Sequence, residues 1–343
     1  MISSKTGNKL PAKRPAYIQL YPTLHCQLSC VFCFNRKMGS LEDISPANYK
    51  KLISILCNEG ISEIDILGGE PTLHPAISNF VEINYRNNIV TSLSTNGYDT
   101  NLLTAWSSRY EKSRVNIGVS LYPENRSHAL RRYIQACQPV VKSVAARGAF
   151  VPDFGAYYLR TRELPYSVIY MDVLADSDLP RSLPFYDFYR ELRAMQAIFQ
   201  NLEGVYCSGF VPDVMRNPAL GHTRCPAGTT KLSVLPDGCV YPCYLLFPYR
   251  QFFLGNIFSD DFDTIWNNRI LDFFRDFRGN QCARRDCTLF DDCHGGCPAI
   301  SLSIFGDISR GDPRCTCMQK DTGSKEEREN ILVRRAQRDT VVP

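Results

Sequence analysis

Cysteine is the residue type that most clearly suggests chemistry in this chain, which has 15 cysteines among 343 residues. Cys26, Cys30 and Cys33 lie close together directly after the run YIQLY (17–21), which is predicted to be the first strand. Three thiolates on one loop can bind a single metal centre but leave a four-ligand site incomplete. A [4Fe–4S] cluster held by three cysteines would keep one iron open to another ligand. Zinc, with His25 as the fourth ligand, is the alternative.

A second, larger group of cysteines lies in the last third of the chain. In a chain without secretory features, dense cysteine indicates metal or redox chemistry. These thiols could hold two four-cysteine iron–sulfur clusters or a pair of zinc sites. Cys57 and Cys137 lie on apolar helix faces and are predicted to pack in the core, whereas Cys207 has no assignment. The group consists of Cys225, Cys239, Cys243, Cys282, Cys287, Cys293, Cys297, Cys315 and Cys317.

The composition argues against several classes of protein. A hydrophobic fraction of 44% and a charged fraction of 22% are typical of a globular chain. The net charge of +4 gives no reason to expect nucleic acid or an anionic membrane as a partner. No run approaches the roughly 18 apolar residues of a membrane span. The basic N-terminus lacks the apolar centre of a signal peptide. We therefore expect a cytoplasmic protein.

Strand and helix patterns alternate from residue 17 to 203 and predict an α/β fold, a parallel sheet with helices outside that is open or curled into a partial barrel. One helix is marked by Ser45 and Pro46 at its start and Gly60 at its end. Further helices are predicted over 127–146 and 184–202. Ligands of such folds collect at the carboxyl ends of the strands. The predicted strands cover 17–21, 62–67, 89–94, 114–122, 167–175 and, more weakly, part of 148–160.

The pattern changes after about residue 204. Periodicity weakens, glycine, proline and cysteine become more frequent, and a helical pattern returns only near 262–277. A cysteine-rich, loop-dominated second domain is therefore predicted, held together by whatever its thiols bind. The predicted parts are an N-terminal segment 1–16, a core 17–203, the cysteine-rich domain 204–323 and a charged tail 324–343.

The first cysteine loop, CQLSCVFC, resembles the signature of the radical S-adenosylmethionine (SAM) enzymes, with the aromatic Phe32 before the third cysteine. The second strand ends in Gly68, Gly69 and Glu70, followed by proline, which resembles the GGEP element that holds the methionyl amino group of SAM in that family. The chemistry is consistent with this role, because glycines allow close approach of the main chain and a carboxylate complements an ammonium group.

The same resemblance assigns further SAM contacts to the next strand ends. Ser94 and Asn96 in STNGY, and Ser120 in VSLYP, are implied to face the ribose and methionyl groups. A basic residue of the fifth strand is implied to meet the SAM carboxylate, and Arg160 and Arg162 are both available. The family fold implied is a partial (β/α)6, TIM-like barrel. The cofactors implied are SAM and a [4Fe–4S] cluster, which together supply a 5′-deoxyadenosyl radical that removes a hydrogen atom from the substrate.

The later segments CPAGTTKLSVLPDGCVYPC, LGNIF and CHGGCP resemble the SPASM extension of radical SAM proteins, which carries auxiliary iron–sulfur clusters. Two auxiliary [4Fe–4S] clusters are implied. Four residues separate Cys282 from Cys287 where the family usually has two. One cluster is implied at Cys225, Cys243 and Cys297 with Cys239 as a possible fourth ligand, and the other at Cys282, Cys287, Cys293 and either Cys315 or Cys317.

Within this family, SPASM members mostly modify peptides. We therefore expect an oxidising maturase of a peptide or protein substrate, supplied with electrons by a reductase, flavodoxin or ferredoxin. The short segment before the first strand leaves no room for an N-terminal leader-recognition domain, so either a separate binding protein or a non-peptide substrate is expected. One alternative is a radical SAM dehydrogenase of a sugar or a tetrapyrrole side chain. Another is a non-enzymatic electron carrier or zinc-binding module.

Overall fold

The computed structural model describes residues 14–122, 127–147, 164–197, 202–205, 225–275 and 295–315. The strands are β1 (Tyr17–Leu20), β2 (Glu63–Ile66), β3 (Val90–Thr95), β4 (Val115–Ser120), β5 (Val140–Ala145), β6 (Tyr166–Tyr170), β7 (Leu202–Val205), β8 (Lys231–Val234), β9 (Cys239–Tyr241) and β10 (Gly255–Asn256). The helices are α1 (Pro46–Asn58), α2 (Ile77–Arg86), α3 (Thr100–Arg109), α4 (His128–Cys137), α5 (Phe185–Gln196), α6 (Phe262–Trp266), α7 (Ile270–Arg275) and α8 (Pro298–Phe305).

The strands of the described ranges form one sheet in the order β10-β9-β8-β1-β2-β3-β4-β5-β6-β7. Strands β1 to β7 are parallel and follow chain order, as the predicted β-then-α units require. Strand β8 joins the other side of β1, also in parallel, with Tyr17 opposite Lys231 and Leu20 opposite Val234. Strands β9 and β10 continue antiparallel. The cysteine-rich region is thus joined to the core through the sheet itself.

The strand faces divide into an apolar side under the helices and a polar side. Ile18 and Leu20 of β1 are fully buried in the main core, while Gln19 between them faces the other way and accepts hydrogen bonds from Lys231 and Ser233, each at 3.0 Å. Alternation of this kind places successive side chains on opposite faces of a strand. The polar face belongs to the inside of the curved sheet.

That curvature is visible in a cavity of about 280 Å³ lined by strands β1 to β5. Lys142 of β5 reaches across it to Ser94 of β3, with 2.7 Å between Nζ and Oγ. Gly118 of β4 lies between them and leaves room for this crossing. The parallel order of strands β1 to β7 and the cavity lined by β1 to β5 agree with the predicted partial barrel. Within the described ranges, no helix has both the length and the hydropathy needed to cross a membrane.

Helix α1 begins as predicted, because the Ser45 side chain accepts from the N–H of Asn48 at 3.1 Å and Pro46 occupies the first turn. Its buried face consists of Tyr49, Leu52, Ile53 and Leu56, which recur at helical spacing. Cys57 was expected in the core and is instead exposed, because it lies one residue, or about 100°, beyond Leu56 on the helix. Cys137 packs against the core as predicted.

The predicted helix over 127–146 is wrong in its second half. Helix α4 ends at Cys137, where Gln138 takes a left-handed conformation (φ 47°) before Pro139. Both residues are typical of a helix end. Val140 then begins β5, whose buried and half-buried residues alternate. The weaker strand expected in 148–160 lies outside the described residues.

Candidate functional site

The three cysteines of the cluster loop (residues 21–33) lie beyond the carboxyl end of β1, and all three are partly exposed. The N–H of Cys33 donates to the carbonyl of Cys30 at 3.1 Å. Burial raises the pKa of the Cys26 and Cys33 thiols above the ordinary value, and the charge of Arg36 opposes that rise at Cys33. Because iron binds thiolates, assembly of a cluster here must release protons.

Arg36 also ties the cluster loop to the segment that follows β6. Its guanidinium donates to the carbonyl of Val31 and to the buried carboxylate of Asp178. The same carboxylate accepts the N–H groups of Leu174 at 2.9 Å and Ala175 at 3.0 Å. The guanidinium therefore holds together two loops at the same end of the sheet.

Two glycines after β2 bring the main chain against the cluster loop. Gly68 has φ +130°, and a Cβ there would lie 2.5 Å from the carbonyl oxygen of Thr23. A Cβ at Gly69 would lie 2.1 Å from the carbonyl oxygen of His25. This approach allows Gly69 N–H to donate to Thr23 at 2.9 Å and Glu70 N–H to donate to His25 at 2.7 Å. Only glycine permits such close contact.

The carboxylate of Glu70 is fully buried and joins the ends of β2 and β3. One oxygen accepts the hydroxyls of Thr72 and Thr95, each at 2.6 Å, and the other accepts the N–H of Asn96 at 2.7 Å. The side-chain amide of Asn96 in turn points to the sulfur of Cys26 at 3.7 Å. The structure thus brings Glu70 and Asn96, which the sequence predicted, to the cluster loop.

Phe32 connects the cluster loop to the end of β4. Its ring lies 4.9 Å from the ring of Tyr122, measured between centroids. Tyr122 forms a hydrogen bond with Ser120, the predicted SAM contact on β4. Burial raises the pKa of Tyr122, and the three thiols of the cluster loop act in the same direction. The phenol therefore lies within electrostatic range of all three cysteines.

Inside the barrel, the half-buried side chains of Lys142 and Asp65 are of opposite charge and lie close enough to affect each other. Burial lowers the pKa of Lys142 and raises that of Asp65, and the charge of each moderates the shift of the other. Gly118 makes room for the lysine, because a Cβ there would lie 2.4 Å from its Cε. Lys142 can therefore present a cation to an anionic group bound above Ser94.

Three cysteines of the second group share one apolar environment. Cys225 and Cys297 are buried in a cluster with Leu246 and Ile300, and Cys243 packs against the same cluster. These are the thiols that the resemblance implies for one auxiliary cluster. The N–H of Cys297 donates to a carboxylate oxygen of Asp312 at 3.0 Å, which fixes the start of α8.

The remaining cysteines of that group are placed differently. Cys239 begins β9 and donates to Asp237 at 3.3 Å, and it packs beside Tyr21 and Tyr241 in a neighbouring cluster. The N–H of Cys315 donates to the carbonyl of Asp312 at 3.0 Å, beside the turn that holds Cys297. The predicted ligands outside the described residues are Cys282, Cys287, Cys293 and Cys317.

The donor set at both places fits iron–sulfur clusters. In the described ranges, no three His, Cys, Asp or Glu side chains surround the position of a single ion. Grouped cysteine thiolates are typical ligands of iron–sulfur clusters. The hydroxyl of Tyr21, between the two cysteine groups, is buried without a partner among the described residues.

Two functional candidates were missed by the sequence. Tyr122 stands two residues after Ser120, so its place at the end of β4 was a signal that could have found it. Lys142 was hidden inside the predicted helix over 127–146, although it lies on the fifth strand, from which a basic residue was expected. Arg160 and Arg162, which the sequence offered for that role, lie outside the described residues.

Comparison with known families identifies the class of protein. Residues 20–141 match the family model of the Radical SAM superfamily, and residues 225–298 match that of SPASM, an iron-sulfur cluster-binding domain. The chain therefore belongs to the radical SAM superfamily and carries a SPASM domain. It is a radical SAM enzyme, a class that uses SAM with a [4Fe–4S] cluster, and its SPASM domain binds auxiliary iron–sulfur clusters.

Among curated proteins, the chain is similar to the antilisterial bacteriocin subtilosin biosynthesis protein AlbA of Bacillus subtilis, with 23% identity over 293 residues. The match covers 79% of this chain but only 63% of AlbA, so the chain spans less than two thirds of that relative. It is also similar to the mycofactocin maturase MftC of Mycobacterium tuberculosis, with 24% identity over 85% of this chain and 81% of MftC.

Among solved structures, SuiB of Streptococcus suis bound to S-adenosylmethionine superposes with a TM-score of 0.68 at 21% identity, covering 89% of this chain and 78% of SuiB. The structure of anSMEcpe with bound AdoMet gives a TM-score of 0.63 at 16% identity, and the match covers 94% of this chain and 100% of anSMEcpe. At these identities the likeness establishes a shared fold.

Proposed function

We propose that this chain is a peptide maturase: it uses radical SAM chemistry to oxidise a peptide or protein substrate. When bound, SAM and the [4Fe–4S] cluster supply the 5′-deoxyadenosyl radical that takes a hydrogen atom from the substrate. The relatives support a peptide as the substrate class. One is a maturase and another a bacteriocin biosynthesis protein, and SuiB was also solved with its precursor peptide SuiA.

In this proposal the residues of the cluster loop and of the strand ends bind the cofactors. Cys26, Cys30 and Cys33 hold the [4Fe–4S] cluster. Gly68 and Gly69 allow the main chain to approach the SAM amino group, and the carboxylate of Glu70 supplies the negative charge that complements this group. Ser94, Asn96 and Ser120 face the ribose and methionyl groups of SAM. A cation from Lys142, or from Arg160 or Arg162, meets the SAM carboxylate.

One observation carries the proposal of a net oxidation. Tyr21 contacts the ring of Phe34, which follows Cys33, and the ring of Tyr244, which follows Cys243. Tyr21, the first residue of the cluster loop, therefore contacts the residues that follow Cys33 and Cys243 in the sequence. A substrate radical formed beside the cluster loop would lie close to an auxiliary cluster that can accept its second electron.

The proposal also covers the electron donor, the cellular compartment and the domain organisation. A reductase, flavodoxin or ferredoxin supplies the electron that the reaction needs. The working compartment is the cytoplasm, where reduced iron–sulfur proteins and free thiols are maintained. The functional units are the radical SAM core 17–203 and the cysteine-rich domain 204–323, with the second auxiliary cluster held by Cys282, Cys287, Cys293 and either Cys315 or Cys317.

The test is an anaerobic turnover assay on the reconstituted full-length chain. Iron and sulfide are counted first, and about twelve irons per chain correspond to three cubane clusters. Candidate precursor peptides, sugars and tetrapyrroles are then incubated with SAM and reductant. We expect 5′-deoxyadenosine together with a peptide product lighter by about 2 Da, the mass of two hydrogens. The variant Cys30→Ala should form neither. Turnover only with a sugar or tetrapyrrole would refute the peptide substrate.

A further inference from the structure

Tyr21 is a fully buried tyrosine whose hydroxyl has no hydrogen-bond partner among the described residues. Two other buried tyrosines of the described residues have hydrogen-bond partners. Tyr49 donates to the side-chain oxygen of Asn84 at 2.8 Å, and Tyr170 donates to the carbonyl of Leu183 at 2.7 Å. A buried donor without an acceptor is costly, and such groups in folded proteins usually indicate a bound partner.

The position of Tyr21 indicates what that partner is. Its ring lies edge-on to Phe34, with 5.3 Å between centroids and 81° between planes, and 6.3 Å from the ring of Tyr244. Phe34 follows Cys33 in the sequence, and Tyr244 follows Cys243. Both cysteines lie within electrostatic range of the Tyr21 side chain, and Cys243 has the larger effect.

The polar groups around Tyr21 are already committed to other partners. The hydroxyl of Tyr244 donates to the carboxylate of Asp172. The carboxylate of Asp65, which also acts on Tyr21 through its charge, accepts from Gln19 at 3.3 Å. The other rings in contact with Tyr21 are those of Phe34 and Phe247, and among the described residues its hydroxyl has no hydrogen-bond partner.

We propose that the hydroxyl of Tyr21 donates a hydrogen bond to a sulfur of the auxiliary iron–sulfur cluster held by Cys243. This inference rests on the proposed function only in assigning Cys243 as a cluster ligand. Hydrogen bonds to cluster sulfurs help to set the reduction potential. Because the reduced cluster is the more negative form, a donor hydrogen bond stabilises it more and raises the potential. Tyr21 is therefore a positioning and tuning residue that makes this cluster a better electron acceptor.

The test compares Tyr21→Phe with the wild-type holoenzyme in an anaerobic redox titration followed by electron paramagnetic resonance. At the potential that half-reduces the wild-type auxiliary cluster, we expect the ratio of reduced to oxidised cluster to fall about tenfold in the variant. For a one-electron couple this is a shift of about 59 mV. The potential of the cluster in the cluster loop, recognised by the change of its signal on addition of SAM, should stay constant.

Tyr49→Phe is the matched control, because it also removes one buried hydroxyl but lies between α1 and α2, away from both cysteine groups. It should leave both potentials unchanged. A second measurement on the wild type in heavy water should detect an exchangeable deuteron coupled to the reduced auxiliary cluster, and this coupling should be lost in Tyr21→Phe. An unchanged auxiliary potential, absence of the coupling, or a shift of the SAM-responsive cluster instead would overturn the inference. The redox titration and the deuteron measurement need no substrate. They therefore test this inference independently of whether the enzyme modifies a peptide.

Discussion

Replacing Gly69 by alanine tests the contact between the turn after β2 and the cluster loop. The new Cβ would lie 2.1 Å from the carbonyl oxygen of His25, far inside ordinary van der Waals contact, and the obstacle is main chain. Moving it breaks the hydrogen bond that Glu70 donates to His25 at 2.7 Å and the one that Gly69 donates to Thr23 at 2.9 Å. At about 1 kcal/mol for each bond, and about 1–3 kcal/mol for overpacking, we expect a loss of about 3–5 kcal/mol.

The assay is anaerobic urea unfolding of the reconstituted chain, together with iron analysis. Since His25 precedes Cys26, the variant should lose iron from the cluster loop while the SPASM signals persist. Gly39→Ala is the matched control, because no atom lies within 4 Å of its added Cβ and its φ is not in the left-handed region. If Gly69→Ala unfolds at the same urea concentration and holds the same iron as Gly39→Ala, the backbone contact does not support the cluster loop.

Three further outcomes are expected. Arg314→Met should lower stability in urea by about 3–5 kcal/mol, because it leaves the fully buried carboxylate of Asp312 without its cation; an unchanged midpoint would refute this. Lys142→Met should raise the KM for SAM about 10- to 100-fold in 5′-deoxyadenosine assays, the loss of one charge-assisted hydrogen bond, whereas Lys112→Met should not. Burial raises the pKa of Tyr110 to about 12 from 10.0, so its contribution to stability is present below pH 10 and lost towards pH 12. Tyr110→Phe should flatten that part of the pH–stability curve.

Local signals in the sequence were enough to predict the elements that position the site. Helix α1 follows from a capping serine, a proline in the first turn and apolar residues at helical spacing. Glu70 and Asn96 could be placed together because each follows a strand of a parallel sheet, whose carboxyl ends share one edge. The structure connects both residues to Cys26, and this geometry agrees with the radical SAM resemblance.

Interactions between distant segments could not be predicted in the same way. The segment Lys231–Val234 reads as part of a loop-rich region, yet it pairs with β1 from the far end of the chain. Four residues carry too little periodicity to reveal a strand, and its partner is fixed by tertiary packing. Lys142 was missed because Val141 and Val144 also fit the apolar face of a helix, and only Pro139 contradicted that interpretation.

The pairing of β8 with β1 also limits how this enzyme can be divided or recombined. In a fragment ending before residue 225, β1 would become an exposed edge strand with unpaired main-chain N–H and C=O groups. Such edge strands tend to pair with strands of other chains. The fragment would also leave Gln19 without the two donors that Lys231 and Ser233 provide. Grafting a foreign C-terminal module onto this barrel would therefore succeed only if the graft brought a strand of matching register.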